Sequence, residues 1–361
     1  MTMRADTSGH EHRSKRLGRR PGDRADAPPP RGRDRRLGGE LLLIALAAAV
    51  AFTAAPLRAQ DSTRTTRDTI RDTVARDTTP VLAGDSVRNR PVADECAAPR
   101  AEWIFCDDFE SDRSKRYFEY DPHDSSFVRV PGTGVLGSTA MRAHFAAGQT
   151  NAGSLKLAFG KVPSPYMHPA DSGTTAYRDV YWRMYVRTDS TWTGGGGDKL
   201  SRAQSLVSPK WVQAMGAPVW SGTGTSANYL VVDPYAGTSA TGTLVATTYN
   251  DFAHLRWLGA ARSVTPIFDA AHAGRWYCVE AHVKLDDPGM SNGVFELWID
   301  DWLEARRDHL AWLGSVQPPY GINTVFLENY WNAGSPVAQS RYIDDFVVST
   351  RRIGCGRLTP P

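Results

Sequence analysis

The stretch covering residues 275–301 constrains the fold most, because it contains two runs in which apolar and polar residues alternate strictly. The runs flank a loop, residues 286–293, that holds Asp, Pro, Gly, Ser and Asn, and this pattern predicts a β-hairpin with a long connection. Successive side chains of a strand point to opposite faces, so one face of the hairpin is predicted to be core. The predicted core residues are Tyr277, Val279, Ala281, Val283, Leu285, Phe295, Leu297 and Ile299.

The opposite face of the hairpin brings acidic, basic and aromatic side chains together. Its members are Trp276, Cys278, Glu280, His282, Lys284, Glu296, Trp298 and Asp300. Residues 179–187 alternate in the same way and add Tyr181, Arg183, Tyr185 and Arg187. Aromatic planes stack on the apolar faces of sugar rings, and Arg binds carboxylates with two hydrogen bonds. The three strands therefore predict one wall that suits an acidic polysaccharide.

This wall also offers groups for breaking a uronate-containing chain by β-elimination. The reaction needs a base for the proton α to the carboxylate and a group that stabilises the negative charge as it develops. His282 or Tyr185 is predicted to be the base or acid, with Arg183 or Lys284 neutralising the carboxylate. The amide of Gln204 is a further candidate for that role. The structural alternative pairs His282 with Glu280 or Glu296.

The first 59 residues predict a secretory signal peptide with a long basic n-region. An apolar run of 15 residues, 41–55, is followed by small residues near Ala59, and it is shorter than the roughly 20 residues that span a membrane. Export through a twin-arginine route and a start codon downstream of Met1 both stay open. Residues 60–95 repeat Arg-Asp-Thr with no aromatic residue, which predicts a disordered linker.

Net charge argues against a nucleic-acid partner. The whole chain carries +3, but residues 1–59 contain 12 Lys and Arg against 6 Asp and Glu, which leaves 30 against 33 in the rest. The predicted mature protein is therefore slightly acidic, and composition indicates no basic patch. We expect a secreted, periplasmic or cell-envelope monomer without a stable membrane span.

Residues 96–356 predict a single all-β domain, a two-sheet antiparallel β-sandwich of the jelly-roll kind, followed by a short tail at 357–361. Short alternating runs are separated by clusters of Gly, Pro, Asn, Asp and Ser, with no long amphipathic helix. We expect the first and last strands to be neighbours. Besides the hairpin arms, the predicted strands are 103–109, 140–145, 154–159, 179–187, 204–206, 229–232, 243–249, 323–330 and 342–349.

The four cysteines all fall in the predicted secreted part, where an oxidising compartment favours disulfides over metal binding. Three pairings are possible. Cys96 with Cys355 would tie the chain ends together, and Cys96 with Cys106 would close a local loop. The sequence leaves this choice open.

Two acidic clusters lie on the outer predicted strands, one at Asp107, Asp108 and Glu110 and the other at Asp344 and Asp345. If these strands pair, their carboxylates come together and offer the several oxygen ligands that Ca²⁺ prefers. The alternative is a pair of solvated strand ends. No organic cofactor is predicted.

Two familiar catalytic motifs are absent from the sequence. The glycine run 194–197 lacks the spacing of a phosphate-binding loop, so we expect a mobile loop at the rim of a groove. No GxSxG occurs, which disfavours a serine hydrolase.

Several motifs together resemble those of a known superfamily: CDDFES at 106–111, DVYWRMYVR at 179–187, RWYCVEAHVKLDDPG at 275–289, NGVFELWID at 292–300 and YIDDFVVSTRRIG at 342–354. They resemble secreted bacterial members of the concanavalin A-like lectin/glucanase superfamily. Within it, the chain is most similar to jelly-roll polysaccharide lyases of the alginate and glucuronan type and their uncharacterised relatives. This scaffold also carries hydrolases and non-catalytic binding modules.

The resemblance implies a carbohydrate groove on a concave sheet and a structural calcium ion on the outside, with FE at 109–110 and YIDD at 342–345 at the calcium-bearing positions. The predicted calcium ligands are Asp108, Glu110 and Asp344. Lyases of this type carry GGKLPG at the groove, where this chain has GGDKLSR at 196–202, with Lys199 in the corresponding place. Acids spaced as in ExDxE, typical of the hydrolases, are absent from residues 296–300.

The function predicted from the sequence is a secreted polysaccharide lyase, and the alternative is a non-catalytic carbohydrate-binding or envelope module. The predicted substrate-binding residues are Tyr181, Lys199, Gln204, Glu280, Trp298, Asn329 and Tyr330.

Overall fold

The computed structural model describes residues 92–314 and 319–356. The predicted signal peptide, the predicted linker up to residue 91 and the tail 357–361 lie outside the described residues. Across the described ranges, no helix has the length and apolarity needed to cross a membrane.

The described part consists of β-strands joined by loops and short 3₁₀ helices, with no α-helix. The strands are β1 (Trp103–Asp107), β2 (Glu119–Asp121), β3 (Phe127–Val130), β4 (Ala140–Phe145), β5 (Asn151–Ala158), β6 (Asp179–Thr188), β7 (Lys199–Leu206), β8 (Gln213–Ser221), β9 (Tyr229–Val232), β10 (Tyr235–Ala236), β11 (Arg256–Trp257), β12 (Ala261–Pro266), β13 (Tyr277–Lys284), β14 (Gly293–Ile299), β15 (Trp302–Leu310), β16 (Thr324–Tyr330) and β17 (Gln339–Ser349). The 3₁₀ helices are Val92–Ala97, Ser114–Arg116, Val135–Gly137, Pro165–Met167 and Gly224–Ser226.

The strands form two antiparallel sheets. The first sheet has the order β15-β14-β13-β6-β17-β4-β3, with β1 also paired to β17. The second sheet has the order β11-β10-β8-β7-β16-β5-β2, with β9 paired to β8 and β12 paired to β9. The predicted all-β sandwich and the predicted pairing of the first and last strands, β1 with β17, are confirmed.

The core lies between the two sheets and follows the alternation of the sequence. In the hairpin β13–β14, all the apolar residues predicted to be core are buried. Trp182 of β6 crosses the interior and donates from Nε1 to Ser201 Oγ of β7 at 3.0 Å. Burying apolar area of this kind contributes roughly 25 cal/mol per Å², so the period of two determines which side of each strand packs inward.

The strand predictions differ from the structure in two ways. Residues 243–249 are mostly loop, with one isolated bridge between Thr238 and Leu244, so the predicted strand there is wrong. The sequence analysis also missed β2, β3, β8, β10, β11, β12 and β15. In β15, the charged residues Arg306, Arg307 and Asp308 interrupt the alternation at the edge of the first sheet. An edge strand has only one hydrogen-bonded neighbour and tolerates charges of this kind.

Disulfides join Cys96 to Cys106 and Cys278 to Cys355. Of the two pairings considered for Cys96, the local loop is therefore the one formed. The second bridge attaches the C-terminal segment, residues 350–356, to β13 in the first sheet. The N-terminal 3₁₀ helix reaches the same sheet, where Glu95 is buried.

Candidate functional site

The polar wall predicted on the first sheet exists, but residues 92–97 and 353–356 cover it. Arg183 is fully buried, and its Nη2 donates to Glu95 Oε2 of the N-terminal helix at 2.6 Å. Tyr185 is also fully buried, and its hydroxyl accepts a hydrogen bond from the backbone N–H of Gly356 at 2.8 Å. The prediction that Arg183 and Tyr185 line an open groove is wrong, because residues 92–97 and 353–356 occupy that space.

Glu280 holds the C-terminal segment in place. Its carboxylate accepts from the backbone N–H groups of Ile353 at 2.6 Å and Gly354 at 3.0 Å, and it is 1 % exposed. Burial raises the pKa of Glu280, while Arg352 and the two N–H groups oppose that rise. The predicted role of Glu280 in substrate binding is therefore not supported by its location.

His282 pairs with Glu296, which is one of the two structural pairings considered as the alternative to a catalytic role. Its ring nitrogens lie 2.8 Å from Glu296 Oε2 and 2.8 Å from Asp179 Oδ1, and its ring stacks on Tyr181 with centroids 4.0 Å apart. Burial alone would lower the pKa of His282, but the hydrogen bonds to Asp179 and Glu296 outweigh it and raise the pKa. Both nitrogens are engaged with protein carboxylates, so His282 is not poised to take a proton from a substrate.

The remaining predicted residues of this face are also separated from an open groove. Trp298 is 6 % exposed and carries the guanidinium of Arg352 over its ring at 4.5 Å. Lys284 is exposed at the end of β13, beside Asp179 of β6. Trp298 therefore offers no open aromatic face to a sugar.

A groove of about 620 Å³ lies instead on the outer face of the second sheet. Its floor comes from β5, β7, β8 and β16, where polar and aromatic positions alternate with core residues. Its far wall comes from residues 249–257. Among the predicted substrate-binding residues, Lys199, Asn329 and Tyr330 line this groove.

Aromatic side chains are exposed at separate places along the groove. Trp257 is 43 % exposed and lies 6.1 Å from Trp220, measured between ring centroids, with the planes 31° apart. Phe252 is 53 % exposed, and Tyr330, on the neighbouring β16, is 40 % exposed. Exposed aromatic planes in a cleft are surfaces on which sugar rings stack.

Lys199 is the half-buried cation of the groove floor. Its Nζ lies 4.3 Å from the ring centroid of Tyr330, within the range of a cation–π contact. Burial lowers the pKa of Lys199, an effect that Glu328 opposes and Arg202 reinforces. A lysine with a lowered pKa holds more neutral amine near neutral pH, and neutral amine is the form that accepts a proton.

Arg202 lies behind Lys199 on β7 and is held by a set of side chains that surround its guanidinium. Its Nη2 donates to Glu328 Oε1 at 2.7 Å and to the hydroxyl of Tyr249 at 2.5 Å. Its Nη1 donates to Asn250 Oδ1 at 2.9 Å and to the hydroxyl of Tyr235 at 3.2 Å. With all of these partners in place, Arg202 supplies a fixed positive charge under the groove.

Tyr249 presents a hydroxyl in the groove wall whose oxygen accepts from Arg202. Burial raises the pKa of Tyr249, and the charge of Arg202 opposes that rise. The hydroxyl therefore keeps its proton at neutral pH, which makes it a donor rather than a base, and Arg202 stabilises the anion left after donation.

Gln204 lies beneath the groove rather than on its surface. It is fully buried, and its Oε1 accepts from Gln213 Nε2 at 2.5 Å; the same nitrogen donates to the hydroxyl of Tyr235 at 2.6 Å. Gly216 makes room for this ring, since a Cβ there would lie 2.1 Å from Tyr235 Cζ. Gln204 therefore does not reach the groove surface, and through Gln213 it helps to hold Tyr235.

The acidic residues predicted to bind calcium already accept hydrogen bonds from the protein. Asp344 Oδ2 accepts from Val135 N–H at 2.7 Å, and Glu110 Oε1 accepts from Thr139 N–H at 2.5 Å. Asp108 Oδ1 accepts from the backbone N–H of Glu110 at 3.3 Å. Within residues 92–314 and 319–356, no group of three or more His, Cys, Asp or Glu side chains is placed to hold a metal ion.

One observation still favours a cation near this place. Asp345 Oδ2 is buried and has no hydrogen-bond partner within the described ranges. Burial raises the pKa of the neighbouring Asp344 to about 7, and burial together with the charge of Asp344 also raises the pKa of Asp345. Calcium binding here stays a prediction, and a rise in unfolding temperature on adding Ca²⁺ would support it.

Sequence reasoning missed most of the groove, including Arg202, Tyr249, Asn250, Trp220 and Trp257. One available signal was Arg202 itself, a second charged residue three positions after Lys199 in the same strand. For Tyr249, Asn250 and Trp257 there was no such signal, because they lie in or beside loops that no periodicity describes.

Comparison with known proteins finds solved structures of similar architecture. No family model and no curated protein sequence matches the chain. Similar solved structures include an endo-β-1,4-glucuronan lyase from the fungus Trichoderma reesei, with 12 % identity, a TM-score of 0.48 and coverage of 69 % of this chain and 96 % of that one. They also include the PL-14 alginate lyase from Aplysia kurodai, with 12 % identity, a TM-score of 0.45 and coverage of 70 % and 100 %.

A third similar structure is the cellulose-induced protein Cip1, with 16 % identity, a TM-score of 0.37 and coverage of 70 % of this chain and 100 % of that one. Alginate and glucuronan lyases are the proteins that the sequence motifs resemble. At these values the similarity concerns architecture, and the chemistry of the groove follows from its own residues.

Proposed function

We propose that the groove binds a uronate-containing polysaccharide and cleaves it by β-elimination. The observation that carries this proposal is one cleft that combines exposed aromatic platforms, a lysine of lowered pKa and a protonated tyrosine hydroxyl backed by a fixed arginine. The aromatic platforms suit sugar rings, and the fixed positive charge of Arg202 beneath the groove suits a uronate carboxylate.

In the proposed reaction, the neutral amine of Lys199 removes the proton α to the uronate carboxylate. The electron pair of that C–H bond forms the new C=C bond, and the bond to the glycosidic oxygen breaks. Tyr249 gives its proton to the leaving oxygen, and the resulting phenolate is stabilised by Arg202 until Lys199 returns a proton through solvent. Atoms and charges balance without a cofactor.

Removal of Lys199 tests this assignment directly. The purified protein is incubated with alginate, glucuronan and other uronate polymers, and the ultraviolet absorbance of the unsaturated product is followed. We expect Lys199→Ala to lower turnover by at least about 10²-fold, the usual contribution of a positioned acid or base. Lys210→Ala is the matched control, because this exposed lysine lies in the turn after β7 and outside the groove.

The products separate elimination from hydrolysis. Mass spectrometry of eliminated chains shows unsaturated ends that are lighter by one water than hydrolysed ends. If no polymer yields such products while the protein still binds them, the lyase assignment is refuted. If Lys199→Ala retains the turnover of the Lys210→Ala control, Lys199 is not the base.

Carbohydrate binding without cleavage is the second candidate function, and the exposure of Trp257 and Tyr330 favours it. An aromatic ring stacked on a sugar contributes roughly 0.5–1.5 kcal/mol. We therefore expect Trp257→Ala to weaken polysaccharide binding by about 2- to 12-fold in titration calorimetry. Tyr166→Ala, which removes an exposed ring outside the groove, should leave binding unchanged.

The proposed location of the protein is the cell exterior, the periplasm or the envelope. Two disulfides within one domain are typical of an oxidising compartment. A polymeric substrate also has to be met outside the cytoplasm.

A further inference from the structure

A buried arginine of the first sheet reaches through the core to the back of the groove. Arg341 lies on β17 and points to the same side as Ile343, which belongs to the core. Its side chain is fully buried. A guanidinium in this position is unusual, because the interior of a sandwich normally holds apolar side chains.

The guanidinium of Arg341 binds two separate parts of the groove from behind. Its Nη1 donates to the backbone carbonyl of Gly196 at 2.8 Å, and its Nη2 donates to the carbonyl of Lys199 at 2.8 Å. The same Nη2 donates to the carbonyl of Glu328 at 3.0 Å and to Asn329 Oδ1 at 2.8 Å. One side chain thus connects the start of β7 to β16.

These two parts carry the groups that meet in the groove. Lys199 comes from the start of β7, and the Tyr330 ring under its ammonium group comes from the end of β16. A bulge interrupts the pairing of β7 with β8 between Lys199 and Ser201, and another interrupts β16 between Glu328 and Tyr330. The regular ladder is therefore broken on both sides of the site, where Arg341 makes its bonds.

All four acceptors of Arg341 are uncharged oxygens, and burial lowers the pKa of Arg341 to about 10, so the group is still cationic at neutral pH. A buried cation held by neutral dipoles stabilises a fold less well than apolar packing of the same volume. The geometry of the groove, rather than stability, accounts for its presence.

We propose that Arg341 is a positioning residue that fixes Lys199 relative to Tyr330 and Glu328 by binding the backbone of β7 and β16 from inside the sandwich. The effect on catalysis rests on the function proposed above, whereas the effect on the position of residues 194–200 does not.

The test compares Arg341→Met with Ile343→Ala. Ile343 is also fully buried, lies two residues along the same strand and faces the same core, so its truncation is a matched loss of packing. For Arg341→Met we expect amide hydrogen exchange over residues 194–200 to accelerate at least about tenfold without ligand. We expect kcat to fall about 10²-fold with KM nearly unchanged, since displacing a reacting group by about 1 Å can have that effect.

Arg341→Lys covers the case in which Arg341→Met does not fold. An ammonium group keeps the charge but lacks the planar fork, so we expect exchange and kcat between those of the wild type and Arg341→Met. Exchange and kcat equal to those of Ile343→Ala, at comparable stability, would overturn the proposal. Faster exchange in a protein whose wild type cleaves no uronate polymer would support the positioning role and refute only the lyase function.

Discussion

The burial of the ion pair between Arg183 and Glu95 predicts a large loss of stability when one partner is removed. The Arg183 side chain is 0 % exposed and that of Glu95 is 3 % exposed, and the two groups lie 2.6 Å apart. Glu95→Ala leaves a buried guanidinium whose remaining partners are the carbonyls of Gly354 and Asp345. Breaking a pair of this kind typically costs 3–5 kcal/mol.

We expect the loss for Glu95→Ala to lie near the lower end, at about 3 kcal/mol. The Glu95 carboxylate also raises the pKa of Asp345 through repulsion, and its removal relieves that repulsion. The measurement is urea unfolding followed by tryptophan fluorescence, with Glu95→Ala, Arg183→Met and the double variant compared. The double variant should lose at least about 2 kcal/mol less than the sum of the single variants, because contacting residues couple.

Glu102→Ala is the control for this prediction. Its carboxylate is 28 % exposed and lies 4.0 Å from Arg100, so its removal should change stability by less than about 0.5 kcal/mol. A loss below about 1 kcal/mol for Glu95→Ala, or additive single variants, would refute the burial of the predicted wall beneath residues 92–97 and 353–356. Activity per folded molecule should be unaffected, because the groove lies on the other sheet.

Three further predictions concern other parts of the molecule. His282→Ala should leave groove activity within about twofold of the wild type. The neighbouring carboxylates hold the folded pKa of His282 above the usual 6.5. The stability that His282 contributes should therefore be fully present below pH 6.5 and be lost as pH rises through the folded pKa, which pH-dependent unfolding measures. Burial raises the pKa of Asp233 to about 6, so stability should fall by about 2 kcal/mol between pH 4 and 6, and Asp233→Asn should remove that slope in urea titrations. Replacing Cys278 and Cys355 together by Ser removes a disulfide between residues 77 apart in sequence. The free energy of unfolding in the same urea assay should fall by about 4 kcal/mol relative to the oxidised wild type.

Each of these has a contrary outcome. If His282→Ala folds fully but loses turnover, the catalytic site lies on the first sheet rather than in the groove. If Asp233→Asn keeps the pH dependence of stability, a group other than Asp233 titrates between about pH 4 and 6. Stability that survives loss of the Cys278–Cys355 bridge would mean that hydrogen bonds alone hold the C-terminal segment.

The alternation of the hairpin determined the core side of β13 and β14, because a period of two places every second residue on one face. The same alternation in other short runs predicted the all-β class, whereas the likeness to jelly-roll lyases came from a resemblance of motifs. Lys199 was suggested by the resemblance, and Asn329 and Tyr330 by their place in a late strand; these three residues line the groove.

The choice between the two polar faces was decided by contacts between residues far apart in the chain. Both Arg183 and Arg202 occupy polar positions on strands that alternate, and nothing local distinguishes them. Residues 92–97 and 353–356 cover Arg183 through Glu95, Gly354 and the Cys278–Cys355 bridge. Such contacts depend on where these two segments pack in the folded domain, and sequence periodicity does not predict that.

The sequence by itself determined the fold class, the inward face of the hairpin and the presence of disulfides, because each follows from residue type and local spacing. Only the tertiary structure decided that the open groove lies on the second sheet and that Arg341 supports it from the first. A strand has two faces, and the rest of the chain determines which of them stays open to solvent.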